Sequence, residues 1–596
     1  MSTYIAPVRD MLFAMNELAG LDEIATLPGY EEATPDLVEA ILDEAGKFAT
    51  EVLAPINASG DRQGNRWVDG EVFTAEGFGD AYRTFCETGW NGMPAATEFG
   101  GQGLPITVST AVLEMWKSAN MSFSLCQMLT LGAVEAIAHH GSDTLKATFL
   151  PAMVEGRWTG TMNLTEPQAG SDLAAVRSRA EPREDGSYAI SGTKIFITWG
   201  EHDMAENIVH LVLARLPDAP PGVKGISLFV APKFLVNADG SLGARNDLVC
   251  ASIEHKMGIH ASPTAVMAFG EKEGAIGYLV GEPNRGLEYM FTMMNHARLN
   301  VGLEGVAISE RAYQQALGYA RERIQGRIIG DRSGDKKPIL HHPHGRRMLM
   351  DRKVRTEATR ALAYYVAGCM DRAKASADSE TRAANEARLE LLTPVVKGWC
   401  TEVAQGVTWN GIQVHGGMGF IEETGACQHM RDARITTIYE GTTAIQANDL
   451  IGRKVAREGG HAMRSLIEEM SASRATLEAH ADVQLRKIGA AVGRSIQALT
   501  EATDWLLTAY EPRPQQAAAG AVPFLKLTGT VVGGWLMARL ALSAHARMDA
   551  DDAEFRGAKL VSARYFAEHV LPEVQALRDA VVGGAESVLA LPETLF

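Results

Sequence analysis

Residues 436–448, TTIYEGTTAIQAN, set one carboxylate, Glu440, between an apolar dipeptide, Ile438-Tyr439, and a Gly-Thr-Thr turn. Glu beside Gly is most often an exposed turn residue whose charge is solvated. The alternative is a general base, which requires burial against apolar groups to lift a carboxyl from its ordinary value of about 4.3. Gly441 would then have a role as well, because a residue without a side chain lets its N–H approach a carbonyl oxygen and stabilise charge developing there.

Three other stretches share this style. In NLTEPQAGSD (163–172), Ala169, Gly170 and Ser171 are small enough for a flat ring or a phosphate to reach backbone amides, and Thr165 and Ser171 offer hydroxyls. An ordinary polar turn reads the same way. In KIFITWG (194–200), Phe196 and Thr198 alternate with Ile197, so an aromatic and a hydroxyl share one face of a strand. QVHGGMGF (413–420) is a diglycine loop, which commonly does no more than stop a helix, and His415 reads first as a structural histidine. HHPH (341–344) has metal-capable side chains, but Pro343 breaks helical spacing and no carboxylate pattern joins it, so no metal site is expected.

The elements that must hold these residues change in texture along the chain. From 34 to 157 apolar residues recur at helical spacing, as in PDLVEAILDEAGKFATEVL, where Leu37, Ile41, Ala45 and Phe48 form one stripe. GGQGLP near residue 100 has no strand before it and no helix pattern opening on it, and reads as a mobile loop. From 158 to 282 short apolar runs separated by DG, PG and GEKEG turns predict antiparallel strands. From 283 to 460 the helical period returns, with Ile308, Ala312, Ala316, Ala320 and Ile324 spaced by four. There, Thr393-Pro394 reads as a cap and first turn of a helix through Val396, Trp399, Val403 and Val407. Residues 461–596 form a further helical tail in which DADDAE (549–554) reads as a solvated loop, and residues 1–33 an N-terminal extension. The fold class is therefore α+β, and the missing βαβ alternation argues against a Rossmann nucleotide domain.

With 46% hydrophobic and 22% charged residues over 596, the chain has the composition of an ordinary globular protein of several structural units. The 56 basic and 73 acidic residues give a formal charge of −17, which repels nucleic acid and anionic membranes. A phosphate-bearing ligand must be held by a local basic or amide-lined pocket. Six cysteines without a C-x-x-C pair fit reduced thiols in a cytosol. MSTYIAPVRDMLFAMNEL carries Arg9 and Asp10 before any sustained apolar run, unlike a secretory signal. LTGTVVGGWLMARLAL is broken by Arg539 and reads as too short for a bilayer.

LTEPQAGSDLAA and QVHGGMGFIEETGACQHMRDARITTIYEG, in that order around a β segment, resemble the two signatures of the acyl-CoA dehydrogenase family. The resemblance covers about residues 34–460, and the N-terminal extension and tail resemble a larger subgroup of it. It implies a helical domain, a middle antiparallel β-barrel-like domain and a C-terminal helical bundle, with FAD as cofactor. Met162, Leu164, Thr165, Gly170 and Ser171 would meet the flavin and ribityl region from one side, and Phe196, Ile197 and Thr198 from the other. Arg323 would bind FAD phosphates across a subunit interface, Gln413, Gly416 and Gly417 the adenosine half, and Thr442 FAD again. Ser171, Asn295, Arg298 and Gly441 would be on the substrate side, with Arg298 a candidate for CoA phosphates. Glu440 aligns with the catalytic base. Position 196 is Phe where many members have Trp, Asn295 replaces a frequent Asp, and Ala444 a common Gln.

The implied activity is α,β-dehydrogenation of an acyl-CoA to a trans-2-enoyl-CoA. The implied substrate is 3-methylthiopropanoyl-CoA, an intermediate of dimethylsulfoniopropionate degradation, and the product methylthioacryloyl-CoA. The acceptor would be an electron-transfer flavoprotein, and the enzyme a cytoplasmic homodimer or dimer of dimers. A fatty acyl-CoA dehydrogenase or an oxidase is the nearest alternative. A DNA-associated flavoprotein is the alternative of another class, opposed by the net charge and by a tail without a basic bias.

Overall fold

A computed structural model describes residues 4–332, 335–548 and 552–596, which divide into two compact units built from non-contiguous segments. One unit comprises 47–104 and 119–297, the other 1–46, 105–118 and 298–596.

The first unit contains an eight-stranded sheet. Its strands are β1 (Trp158–Asn163), β2 (Arg179–Pro182), β3 (Tyr188–Thr198), β4 (Asn207–Ala214), β5 (Ser227–Pro232), β6 (Leu248–Ile253), β7 (Thr264–Phe269) and β8 (Ala275–Leu279). Pairing runs β6-β7-β3-β8-β5-β4-β1, with β2 also on β3. All pairs are antiparallel except β1 with β4, which run parallel from Trp158↔Asn207 to Asn163↔Val212. The antiparallel expectation is corrected there, because β2 and β3 intervene and give the long connection that parallel pairing needs. β3 changes neighbours midway: residues 188–191 pair with β2 and β8, and 192–198 with β7. β4 and β5 are buried at every position, which explains their mostly apolar sequences; the buried His210 of β4 is paired with Thr161 Oγ1 at 2.7 Å. A short hairpin, Arg66–Val68 with Glu71–Phe73, interrupts the helical texture of the N-terminal segment.

In the second unit, the helices that matter to the site are α1 (Ile106–Ala119), α2 (Gly286–Glu322, within this unit from Arg298 onward), α3 (Ser379–His415), α4 (Thr443–Asp449) and α5 (Ala521–Ala546). α1 opens directly on GGQGLP, against expectation, because its first amides are capped from far away in sequence. The Asp371 carboxylate accepts from Ile106 N at 2.7 Å and Thr107 N at 2.9 Å. A helix start already holding a carboxylate is no phosphate loop. α3 likewise starts earlier than expected, at Ser379 with Asp378 accepting from Thr381 N at 2.8 Å, and Pro394 lies inside it. Packing on both faces of the helix outweighs the proline, and Thr393 Oγ1 bonds back to Leu389 O at 2.7 Å instead of capping.

In helix Pro35–Phe48 the buried stripe is Val38, Leu42, Ala45 and Phe48, one position round from the expected Leu37 and Ile41; Leu37 is exposed. α2 buries Ile308, Ala312, Ala316 and Ala320, whereas Ile324 lies beyond its end and is exposed. Of DADDAE, residues 549–551 lie outside the described residues, and Ala553-Glu554 open a helix.

Among the described residues two helices, Met121–His140 and α5, are long and apolar enough to cross a membrane, but 89% and 83% of their apolar windows are buried inside the protein. α5 is thus longer than LTGTVVGGWLMARLAL suggested and packs as a core helix. Trp399 of α3 lies so close to it that a Cβ at Gly529 or Gly533 would meet the indole at 2.2 or 2.6 Å. The N-terminal extension packs on the tail: Glu17 accepts from Ser543 Oγ at 2.5 Å and Arg547 at 2.7 Å, and Arg9 pairs with Asp552 at 2.5 Å. All six cysteines are free, and four of them buried.

Candidate active site

Glu440 stands in the turn between a 3-10 turn, Ile435–Thr437, and α4. Both Glu440 and Gly441 have left-handed backbones, with φ of 54° and 87°. For Glu this is a strained conformation of the kind retained at functional sites. A Cβ on Gly441 would sit 2.6 Å from Gln446 Nε2, so both conformation and space demand glycine. Gln446, buried in α4, donates to Glu440 O at 3.1 Å and Gly441 O at 3.3 Å. Lys397 of α3, fully buried, donates to Gly441 O at 2.5 Å. Gly441→Ala is expected to cost about 1–3 kcal/mol in denaturant unfolding, the range for a strained residue forced out of its conformation.

The Glu440 carboxyl is half-buried. Burial pushes it up to about 7, Lys397 and Arg298 pull it back, and Glu304 adds to the rise. Tyr439, expected as an apolar neighbour, donates its hydroxyl to Glu304, and Lys117 of α1 lies 3.6 Å from that carboxylate. Ile438 is largely exposed. Arg298, carried over as a substrate-side residue and a candidate for CoA phosphates, is buried and bonded to Asp449 at 3.4 Å, so it faces the base rather than solvent. Thr442 caps α4 by accepting from Ile445 N at 3.3 Å, which leaves its hydroxyl proton free to donate to a ligand.

In the other unit, a bulge places Ile195 and Phe196 together opposite β7, where pairing skips from Ala265↔Ile197 to Met267↔Lys194. Phe196 takes a φ of 59° and turns its ring outward, 59% exposed. A bulge that re-aims one side chain is common beside active sites. Thr198 lies half-buried, and Thr165 O accepts Ile195 N at 2.9 Å, which brings the TEPQAGSD turn to the same strand. Gly170 and Ser171 are exposed, Met162 half-buried, and Leu164 and Ile197 buried, so Ile197 offers only backbone to a ligand on the Phe196 side. An outward aromatic with hydroxyls beside it suits a flat heterocycle that both stacks and hydrogen-bonds.

The clamp behind this turn escaped the sequence reading. Glu166 accepts from Lys194 Nζ at 2.8 Å, Ser178 Oγ at 2.6 Å, Ser178 N at 3.1 Å, Arg177 N at 2.8 Å and Gln168 Nε2 at 2.6 Å. Lys194 also donates to Leu164 O at 3.0 Å. Burial would raise the Glu166 carboxyl, but Lys194, Ser178 and the Arg177 amide outweigh it and hold it at about 2. The available signal was a lysine at the centre of an apolar strand.

Arg323, exposed, follows the end of α2, and Gln413, Gly416 and Gly417, also exposed, lie at the end of α3; Ala320 and Val414 join these ends in one apolar cluster. Gln413 is sixteen residues beyond Lys397 on α3, about 24 Å of helix. These residues are therefore not gathered around Glu440. His415 is buried, its Nδ1 2.7 Å from Gly411 O, and is structural. Asn295 is exposed on α2. Among the described residues no group of three or more His, Cys, Asp or Glu could hold a metal ion.

Residues 35–157, 161–271 and 284–455 match the N-terminal, middle and C-terminal domain models of acyl-CoA dehydrogenase, and 466–592 match a model described as acetyl-CoA dehydrogenase C-terminal like. The chain belongs to the acyl-CoA dehydrogenase family of FAD-dependent oxidoreductases. It is 50% identical to the 3-methylmercaptopropionyl-CoA dehydrogenase of Ruegeria pomeroyi, over 98% of this chain and 99% of that protein. It is 35% identical to a butyryl-CoA dehydrogenase of Syntrophomonas wolfei, over 100% and 99%. Its fold matches the acyl-CoA dehydrogenase of Bacillus anthracis solved with FAD, with a TM-score of 0.75, 20% identity, and coverage of 96% and 91%.

Proposed function

We propose that the protein oxidises an acyl-CoA thioester to its trans-2-enoyl-CoA, that Glu440 removes the α-proton, and that the substrate is 3-methylthiopropanoyl-CoA. The observation that carries the reaction is the Glu440-Gly441 turn, a carboxyl raised to about 7 on a strained backbone beside a glycine N–H. A thioester α-hydrogen is weakly acidic, so a base must act while the carbonyl oxygen is stabilised. Glu440 takes the proton, and the Gly441 N–H stabilises the enolate oxygen. Bound FAD supplies the two-electron acceptor for the β-hydride. Phe196 would stack on that cofactor, and Thr165 and Thr198 beside it would offer hydroxyls. Identity of 50% along nearly the whole Ruegeria pomeroyi protein supports the thioether substrate and the product methylthioacryloyl-CoA.

The separation of Arg323 and Gln413 from Glu440 supports a homodimer or dimer of dimers in which these residues serve the cofactor of a second copy. An electron-transfer flavoprotein is the proposed acceptor, in a cytoplasmic setting that the free thiols fit, with a place in dimethylsulfoniopropionate breakdown. The second reading is a straight-chain enzyme, favoured by the likeness to the butyryl-CoA dehydrogenase. An anaerobic panel of thioether, straight-chain and branched acyl-CoAs, followed by flavin absorbance, separates them. The thioether compound is expected to bleach the flavin with the highest kcat/KM, and a clear preference for butyryl-CoA overturns the substrate assignment. Peroxide formed in air without an added acceptor identifies an oxidase.

A further inference from the structure

We infer that Lys397 is a positioning residue for the proton transfer: from the buried face of α3 its ammonium holds the Gly441 carbonyl, and so sets both the shape of the Glu440-Gly441 turn and the charge that the Glu440 carboxylate faces. This rests on Glu440 being the base.

The geometry carries it. Burying an ammonium is costly, and an apolar side chain of the same length would pack this face of α3 without that cost. Lys397 is nevertheless fully buried, 2.5 Å from the Gly441 carbonyl, which Gln446 also approaches at 3.3 Å. Every other charge facing Glu440 or Lys397 is engaged with a charged partner. From α2, Arg298 bonds to Asp449, which also takes Arg453 at 2.6 Å, and Glu304 is held by Tyr439 and Lys117. From α3, Glu402 lies 2.9 Å from Lys526 of α5 and accepts from Thr443 at 2.8 Å. Among these groups Lys397 differs in that its hydrogen bond goes to a neutral carbonyl and to no carboxylate, so its charge is left to act on the base beside it. Burial lowers Lys397 to about 8 while Glu440 sits at about 7, so both groups change charge within the same narrow interval.

The test is the anaerobic rate of flavin reduction by saturating acyl-CoA, from pH 5.5 to 9.5, in the wild-type, Lys397→Met and Lys397→Arg holoenzymes. Removing a neighbouring opposite charge raises a carboxyl by about one unit or more. The Met variant is therefore expected to shift the ascending limb about one pH unit upward, with a rate roughly tenfold lower near pH 6 and a smaller deficit at high pH. The Arg variant is expected to keep the limb near its wild-type position. A uniform loss at every pH, or an unmoved limb, overturns the inference, because a merely structural lysine gives that result. If Lys397→Met loses its flavin, Lys397→Gln is read in the same way, and failure of both neutral variants to fold also counts against the proposal. The two readings are separable: Glu440→Gln bleaching at the wild-type rate removes the base itself, whereas an inactive Glu440→Gln with an unmoved Lys397→Met limb removes only the role of the lysine.

Discussion

Glu440→Gln is expected to retain bound yellow FAD and to lose about 10²- to 10⁴-fold in the rate of substrate-dependent flavin bleaching, the usual contribution of a positioned general base. Gln has nearly the size of Glu, so the left-handed turn, the Gln446 clamp on its carbonyls and the Lys397 hydrogen bond can all persist. What disappears is the proton acceptor. The pH profile follows from the same environment. Burial disfavours the carboxylate, and only the ionised form can accept a proton, so the wild-type rate rises with pH through about 7. The ascending limb should be absent from the residual activity of the variant.

Lys194→Met is expected to destabilise the protein by about 3–5 kcal/mol in denaturant unfolding, the range for removing one partner of a buried ion pair. It leaves the Glu166 carboxylate, 4% exposed, without its ammonium. It also frees the Leu164 carbonyl. Both contacts fix the turn bearing Thr165, Gly170 and Ser171 to β3, so FAD affinity should fall with stability. Folding lowers the Glu166 carboxyl from 4.5 to about 2, which means that the unfolded chain binds this proton more tightly. The stabilisation from Glu166 is therefore complete above about 4.5 and is lost as pH falls towards 2. The variant should show a shallower loss of stability over that interval than the wild type.

These two residues differ in how legible they are. Glu440 and Gly441 stand in a turn whose residue types already suggest chemistry, and their environment confirms a raised carboxyl. The charges that tune it, Lys397, Arg298 and Glu304, come from helices about 40 to 140 residues away in sequence. A lysine in VVKGW or KIFITWG is the sole trace of a buried cation, and burial is a property of tertiary packing. The misread helix starts share this cause. Asp371 caps Ile106 across 265 residues, and Pro394 is tolerated because its helix is packed on both faces. The one-residue rotation of the Pro35–Phe48 stripe shows how a helix with apolar residues at adjacent positions leaves the choice of face to packing. The parallel pairing of β1 with β4 was hidden similarly, since alternation and turn signals report a strand but not its neighbour. Phe196 and Thr198 were identified by type, whereas the bulge that turns Phe196 outward depends on the register of β7.

The measurement closest to the central claim is anaerobic single-turnover bleaching with an acyl-CoA deuterated at the α carbon, followed from pH 5 to 9 in wild-type and Glu440→Gln protein. If Glu440 removes the α-proton, deuteration slows the wild-type reaction, the rate rises through about pH 7, and the variant remains yellow with substrate bound. Bleaching of the variant at the wild-type rate, or a wild-type rate indifferent to both deuteration and pH, contradicts the account.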